Sequence, residues 1–276
     1  MVGSTASRTA LGAAMHRAVH QLKDRPPVFE DPLALRIVGA EAEAELRSGR
    51  SRYFDARLAK LRAFIAIRSR FAEDCAAGAA QYVLLGAGLD TFAYRSRGVR
   101  VFEVDHPATQ SWKRARLAAT GIAVPAEVAF VAVDFERDDF VAGLRRAGFD
   151  FARRAVVAWL GVVPYLQTPT VLETLRELRE NLAPGSLVIF DYPSSPSDLT
   201  EEERRAAVAF ALRVASAGEP LRTFFDPREL PAELASIGLH GQDFNHVTLT
   251  ACYLADRSDG LALSRHAHIM QASVPP

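Results

Sequence analysis

Cysteine is nearly absent: Cys75 and Cys252 are the only two in 276 residues, and they stand far apart. Two isolated thiols fit neither a disulfide framework nor a zinc-ligand pattern, so reduced side chains in a cytosolic protein are expected. Long apolar runs are missing as well. No stretch nears the roughly 18 residues of a membrane helix, and the opening MVGSTASRTALGAAMHRAVHQLKDR has no unbroken apolar core of the secretory kind. The expected location is cytoplasmic, with no membrane partner. Excess charge is missing too, with 33 basic residues against 33 acidic ones. A chain without a basic surplus lacks the sequence-wide attraction that holds nucleic acid by its phosphates, so none is expected as a partner. Repeats and low-complexity tracts are absent.

What the chain does have is 49% hydrophobic residues, enough for a substantial core in one domain of this size. Residues 5–22 carry an alanine- and leucine-rich helical pattern that Arg25-Pro26-Pro27 ends, and Asp31-Pro32 restarts a short helix through Val38. Over 52–76, Phe54, Leu58, Leu61, Ile65 and Phe71 recur at near-helical spacing, which predicts one long amphipathic helix. Strands are predicted at 82–86, 100–105, 128–134, 155–163 and 186–192, with helices at about 90–97, 107–120, 138–147 and 168–182 between them. Apolar, β-branched strands alternating with amphipathic helices imply an α/β fold: a doubly wound, mostly parallel sheet covered on both faces. After Tyr192 come a PSSPSD loop, a polar and alanine-rich helix over 198–217, a helix capped at Asp226-Pro227, and strands near 240–246 and 265–271.

The densest motif is QYVLLGAGLDTFAYRSRGVRVFEVD, residues 81–105. An apolar strand runs into Gly86-Ala87-Gly88, and a second strand ends on Asp105, 19 positions after Gly86. Strand, glycine turn, helix start and strand-end acid form a nucleotide-handling unit. The glycines let a ligand approach the backbone, and the carboxylate accepts ribose hydroxyls. The dinucleotide version needs a glycine at position 91, where this chain has Thr91. It also seats a pyrophosphate on the helix start, where Asp90 would face it with a negative charge. An acid there suits a cationic ligand. S-adenosylmethionine carries a ribose, an adenine, a sulfonium and an ammonium but no phosphate, and fits better than NAD.

LLGAGLDTFAYR, FEVDHP, VDFERDD and WLGVVPYL, in this order, resemble the S-adenosylmethionine-dependent methyltransferases related to leucine carboxyl methyltransferase. The closer likeness is to their bacterial O-methyltransferase branch of unassigned substrate. FEDPLA at 29–34 and AIRSRFAED at 66–74 extend it from about Thr5 to the final strand. The resemblance implies a seven-stranded, Rossmann-like class I methyltransferase sheet in one domain, 1–276. Its parts would be a helical lid (1–78), a cofactor-binding core (79–192), a helical insertion capping the acceptor (193–238) and terminal strands (239–276).

The resemblance also implies S-adenosyl-L-methionine as cofactor and oxygen as acceptor. Gly86, Ala87 and Gly88 would pass beside the methionyl part, and Arg68 would pair with the cofactor carboxylate. Asp105 would bind the ribose with Glu103 as backup, while Asp134 and Phe135 would meet the adenine. Arg17 matches a basic lid residue loosely. One position departs: where related enzymes carry a glutamate near the cofactor's amino group, this chain has Leu160. That leaves Asp90 or backbone carbonyls to receive the ammonium, and argues against a protein C-terminus as acceptor.

Methyl transfer is an in-line displacement that needs the nucleophile at near-attack distance in a dry site. A carboxylate acceptor arrives ionised, whereas a hydroxyl needs a base. No residue stands out as that base. The catalytic assignment therefore stays open, and a carboxylate or an acidic hydroxyl of a small or medium metabolite is favoured. His106, Tyr165 and Tyr192 are the candidates; the plainer reading turns His106 away, toward the adenine edge or solvent, and makes the tyrosines strand-end packing residues. His266 and His268, two apart on one strand face, have no Asp, Glu or Cys at ligand spacing, so no metal is expected. Arg52, Arg57, Lys60 and Arg62 read as a solvated basic helix face, and Glu201-Glu202-Glu203 as a charged helix start. Two alternatives remain: a non-catalytic S-adenosylmethionine-binding scaffold, which Leu160 keeps open, and a nicotinamide-dependent oxidoreductase, against which Thr91 and Asp90 argue. The oligomeric state is not legible.

Overall fold

A computed structural model describes residues 8–135, 137–194, 200–216 and 218–276. The strands are β1 (Gln81–Leu85), β2 (Arg100–Asp105), β3 (Val128–Ala132), β4 (Val156–Trp159), β5 (Leu187–Pro193), β6 (His240–Phe244) and β7 (Ala267–Ser273). They form one sheet in the order β3-β2-β1-β4-β5-β7-β6. The first five are parallel, and β7 runs antiparallel between β5 and β6. Strand order reverses between β1 and β4, which opens a crevice at their C-terminal ends.

The helices are α1 (Arg8–Lys23), α2 (Ala34–Ile37), α3 (Ala40–Arg47), α4 (Ala59–Ala76), α5 (Phe92–Arg95), α6 (Pro107–Ala119), α7 (Phe140–Arg146), α8 (Thr168–Asn181), α9 (Glu201–Ser216), α10 (Leu230–Ser236) and α11 (His246–Tyr253). Every residue of β1 is buried, because helices cover both faces of the sheet. Alternate residues therefore feed two cores. Val83, Leu85, Val157, Trp159 and Phe190 pack with Leu144, Val171 and Leu175 of α7 and α8. Tyr82, Leu84, Ala158 and Ile189 pack with Ala63, Ile67 and Phe71 of α4. A third cluster, with Ala14, Ala18, Ile37, Leu46, Leu89 and Leu117, seats α1–α3 on α6 and on the loop after β1.

Several boundaries differ from the sequence pattern. The helix expected over 52–76 splits into 3₁₀ turns at Arg52–Phe54 and Ala56–Leu58, then α4, because the Asp55 side chain caps the second turn at the Arg57 amide. β4 stops at Trp159, and Gly161, at φ 70°, turns the chain into a 3₁₀ turn at Val163–Tyr165. The helix expected at Asp226 starts at Leu230, since the Asp226 carboxylate is spent on the amide and guanidinium of Arg228. α3 and α11 were not anticipated. The charged start of α9 is a capping box in which Thr200 and Glu203 each accept from the other's amide. Residues 5–7 of the first expected helix, the loop residues 195–198, and residues 198, 199 and 217 of the later helix lie outside the described residues.

Arg62 is the other correction. It is buried rather than solvated, with Nε and Nη2 donating to Asp24 at 2.8 and 2.9 Å. The His20 Nδ1 lies 2.8 Å from the same carboxylate, and its Nε2 accepts from the Val28 amide. Burial pushes the Asp24 carboxyl up, but the hydrogen bonds from His20 and Arg62 outweigh it and hold it at about 2. Among the described residues no helix is long and apolar enough to cross a membrane, and no group of three or more His, Cys, Asp or Glu is placed to hold a metal ion.

Candidate functional site

The loop Gly86–Asp90 leaves β1 at the crevice. Gly86 and Gly88 have φ of 72° and 46°, a region that residues with a Cβ avoid. A Cβ at Gly86 would collide with Val162, and one at Gly88 would lie 3.1 Å from the Ala10 Cβ. The segment after β4 and the start of α1 thus clasp the loop from two sides. Its base is tied to β2, for the amides of Gly86 and Ala87 both donate to Val104 O. Asp105, the last residue of β2, accepts from the Gly88 amide at 2.6 Å and from the His106 amide at 2.7 Å. Burial raises the Asp105 carboxyl, and those two amides oppose the rise. A carboxylate offers about four lone-pair positions, so two amides leave acceptor capacity.

Glu103 differs in holding a buried cation as its partner. It is buried and accepts from Lys113 Nζ at 2.7 Å and from the Tyr94 hydroxyl at 2.8 Å. Its charge is committed to the packing of α5 and α6 on β2, so the backup role falls away.

Asp90 is not a bare acid. Its Oδ2 accepts from Arg17 Nη1 at 3.0 Å and its Oδ1 from the Phe92 amide at 2.8 Å, while Arg17 Nη2 donates to Leu89 O at 2.5 Å. Thr91, standing where a dinucleotide site needs glycine, is buried and donates to Asp31 at 2.7 Å. Arg95 joins Asp31 to Glu73. Burial pushes Asp90 up, yet the charges of Arg17, Arg95 and Lys113 hold its carboxyl below the ordinary value. Burial carries Glu73 to about 7 against the pull of Arg95. The charge argument from sequence therefore acquires counter-ions: Arg17 and Arg95 stand against Asp31, Glu73 and Asp90.

Arg68 reaches from α4 to β5, where its Nη1 donates to Asp191 Oδ2 at 2.7 Å. The other oxygen of Asp191 accepts from the Gly161 amide at 2.5 Å. A Cβ at Gly161 would come within 2.6 Å of the Arg68 guanidinium, so glycine there makes room for the arginine. Trp159 pairs with Phe190 in the parallel register, which sets Leu160 beside Asp191. Asp191 was missed from sequence, although a lone acid within the apolar run LVIFDYP was its trace. Tyr165 stands half-buried in the field of Arg68, Asp191 and Glu219, and burial pushes its phenol up to about 12.

Beyond β3, Phe135 packs 6.0 Å from Phe140, and Asp134 Oδ2 lies 4.0 Å from His106 Nε2. The His106 Nδ1 accepts from the Ala108 amide and caps α6, a structural task that aims Nε2 at Asp134. Tyr192 does not line the crevice. It is buried, its hydroxyl donates to Asp243 at 2.7 Å, and Phe225 packs over its ring at 5.9 Å. Overhead, the Thr9 amide donates to Glu219 at 2.9 Å and the Arg222 amide to Pro164 O at 2.7 Å. The start of α1 and the segment after α9 are stitched to each other, and the latter to the 3₁₀ turn that follows β4.

The glycine loop, Asp105 and the Asp134-Phe135 pair follow or close the C-terminal ends of β1, β2 and β3, and Arg68 meets β5 near its C-terminal end. A backbone cradle, an anchored acid with spare lone pairs, an aromatic face and a guanidinium suit an adenosyl ligand bearing an amino-acid tail. A sheet in this strand order, with that loop and that acid, defines a class I methyltransferase. The family model for leucine carboxyl methyltransferase matches residues 10–179, and the chain belongs to that family of S-adenosylmethionine-dependent enzymes.

A Bacillus subtilis (strain 168) protein named "Putative S-adenosyl-L-methionine-dependent methyltransferase YktD" is 26% identical over 96% of this chain and 97% of its own length. A Mycobacterium avium (strain 104) relative of the same description is 33% identical over 94% of this chain and 89% of its own. The crystal structure of a "putative methyltransferase" from Thermobifida fusca YX shares the fold, with a TM-score of 0.61, 20% identity and coverage of 99% of this chain and 96% of that one.

Proposed function

We propose that this enzyme moves the methyl group of S-adenosylmethionine to an oxygen of a small or medium metabolite, a carboxylate or an acidic hydroxyl. The setting is the cytoplasm, with neither nucleic acid nor membrane as partner. The observation that carries the reading is the Asp105 carboxylate. Two backbone amides hold it, and among the described residues no further donor meets it, as a ribose acceptor requires. Oxygen as the acceptor is supported by the methyl transfer to a carboxyl group that the matched family is named for.

In this reading Arg68 holds the cofactor carboxylate and Asp191 keeps the guanidinium in place. Gly86, Ala87 and Gly88 flank the methionyl part, Asp134 accepts from the adenine amine, and Phe135 packs on its ring. Leu160 borders the site, and Asp90 or backbone carbonyls receive the cofactor ammonium. The bound cofactor supplies an electrophilic methyl carbon on a sulfonium. The chain's own task is to hold the acceptor in line and keep water out, for which residues 1–78 serve as lid and 193–238 as acceptor cap over the 79–192 core and the 239–276 strands.

Calorimetric titration with S-adenosylmethionine, S-adenosylhomocysteine and NAD should show the two adenosyl ligands binding and NAD not. Radiolabelled methyl transfer then identifies the acceptor atom: alkali frees methanol from a methyl ester and leaves a methyl ether intact. Methyl found on nitrogen or sulfur would overturn the oxygen reading.

A further inference from the structure

We propose that His268, oriented by Asp243, is the base that takes the proton from a hydroxyl acceptor, which makes the acceptor a phenol or an acidic alcohol. The inference rests on the oxygen-acceptor reading and chooses between its two arms.

Because β7 runs antiparallel to β5, its first residues lie beside the last residues of β5. His268 pairs with Tyr192, and Ile269 with Asp191. Asp191 is the residue that holds Arg68 and the Gly161 amide, so His268 stands one residue pair from the crevice edge. The cap also begins here. Ser194 follows β5, its hydroxyl lies 3.1 Å from His266 Nδ1, and it bridges to Phe225 within the cap segment.

The His268 Nδ1 lies 3.1 and 3.0 Å from the two oxygens of Asp243. A carboxylate can only accept, so Nδ1 carries the proton and Nε2 keeps its lone pair. His268 is buried, 6% exposed, and among the described residues its Nε2 has no hydrogen-bond partner. The Tyr192 hydroxyl donates to the same carboxylate, and its ring lies 5.2 Å from the imidazole, tilted by 30°. Acid and ring together fix the plane of the histidine.

Asp243 meets no arginine or lysine at ion-pair distance among the described residues, so its charge is available to an imidazolium. The groups facing His268 are Asp243 from β6, Tyr192 from β5, His246 from α11 and His266 from the approach to β7.

The step balances without another reactant. The acceptor oxygen forms its bond to the methyl carbon while the carbon–sulfur bond breaks, leaving its electron pair on sulfur. The hydroxyl proton passes to His268 Nε2, and Asp243 stabilises the resulting imidazolium until solvent takes the proton.

Two measurements on the full chain test this. Long-range proton–nitrogen NMR of the imidazoles needs no acceptor. It should show His268 as a single Nδ1–H tautomer at neutral pH, becoming a mixture in Asp243→Asn. Offered phenol, catechol, benzyl alcohol and benzoate, the enzyme should form alkali-stable ethers from the hydroxyl compounds and no methyl benzoate. In His268→Gln, kcat should fall about 10²–10⁴-fold while KM and S-adenosylhomocysteine affinity persist. An Nε2–H or mixed tautomer in the wild-type chain overturns the proposal even if no acceptor of the panel reacts. So do esters as the sole products, or wild-type kcat in His268→Gln. Failure of the oxygen reading looks different: S-adenosylhomocysteine would not bind, or the methyl would end on another element.

Discussion

The Gly88 amide donates to Asp105 at 2.6 Å, so the glycine loop after β1 and the acid ending β2 are one mechanical unit. Asp105→Ala removes both the ribose acceptor and the brace on the loop. Hydrogen bonds to a charged group are worth about 1.5–3 kcal/mol, so S-adenosylhomocysteine affinity should fall by roughly 10- to 100-fold. Calorimetry on the folded variant checks this, and unchanged affinity would refute the placement of the ribose.

Gly88 meets two constraints, φ of 46° and the nearby Ala10 Cβ. Gly88→Val should abolish adenosyl binding. Gly88→Ala should cost about 1–3 kcal/mol of stability from backbone strain. Adding Ala10→Gly relieves the contact and not the dihedral, so thermal unfolding should show partial recovery only.

Asp24 should govern the acid limb of stability. Its folded carboxyl lies at about 2 against an ordinary 3.8. A depressed carboxyl contributes stability above its unfolded value and loses it as pH falls from about 4 to about 2. Asp24→Asn leaves Arg62 buried without a counter-charge, which should cost about 3–5 kcal/mol near neutrality and flatten the acid limb. Denaturant unfolding at neutral and acidic pH measures both.

Glu73 should act with the opposite sign. Its folded carboxyl stands at about 7 against an ordinary 4.5, so the folded chain binds this proton more tightly than the unfolded one. Its contribution to stability therefore declines as pH rises from about 4.5 to about 7. In Glu73→Gln that part of the slope should vanish, which unfolding midpoints across this window would reveal.

His106 caps α6 through Nδ1. His106→Ala should lower stability by about 0.5–2 kcal/mol, the usual loss of a cap, and leave S-adenosylhomocysteine affinity largely intact. Turnover lost outright with binding retained would instead make His106 the base.

The fold was legible where one physical constraint acts on neighbouring residues. QYVLL has to be apolar because both faces of β1 are covered, and Gly86 and Gly88 have to be glycine because of backbone angle and close approach. Asp105 was legible for the same reason, as the residue that ends a strand. The pairs of the proposed site join residues far apart in the chain: Arg17 with Asp90, Arg68 with Asp191, His268 with Asp243. No local period encodes such partners. Arg62 shows the cost of relying on periodicity, which sent it to solvent while Asp24 provided a buried partner. His268 looked ordinary because its acid arrives from β6, across a strand pairing rather than at ligand spacing.

Leu160 directly follows β4, and the pairing of Trp159 with Phe190 brings it level with Asp191 on β5. A carboxylate in that small volume can be contributed from either strand, so acids from different positions in the chain can serve one point in space. Relatives compared column by column would be sorted into those with and without an acid after β4. Sorted instead by the charge present in the volume between the two strand ends, a chain carrying Leu160 with Asp191 joins those carrying the acid on β4 itself.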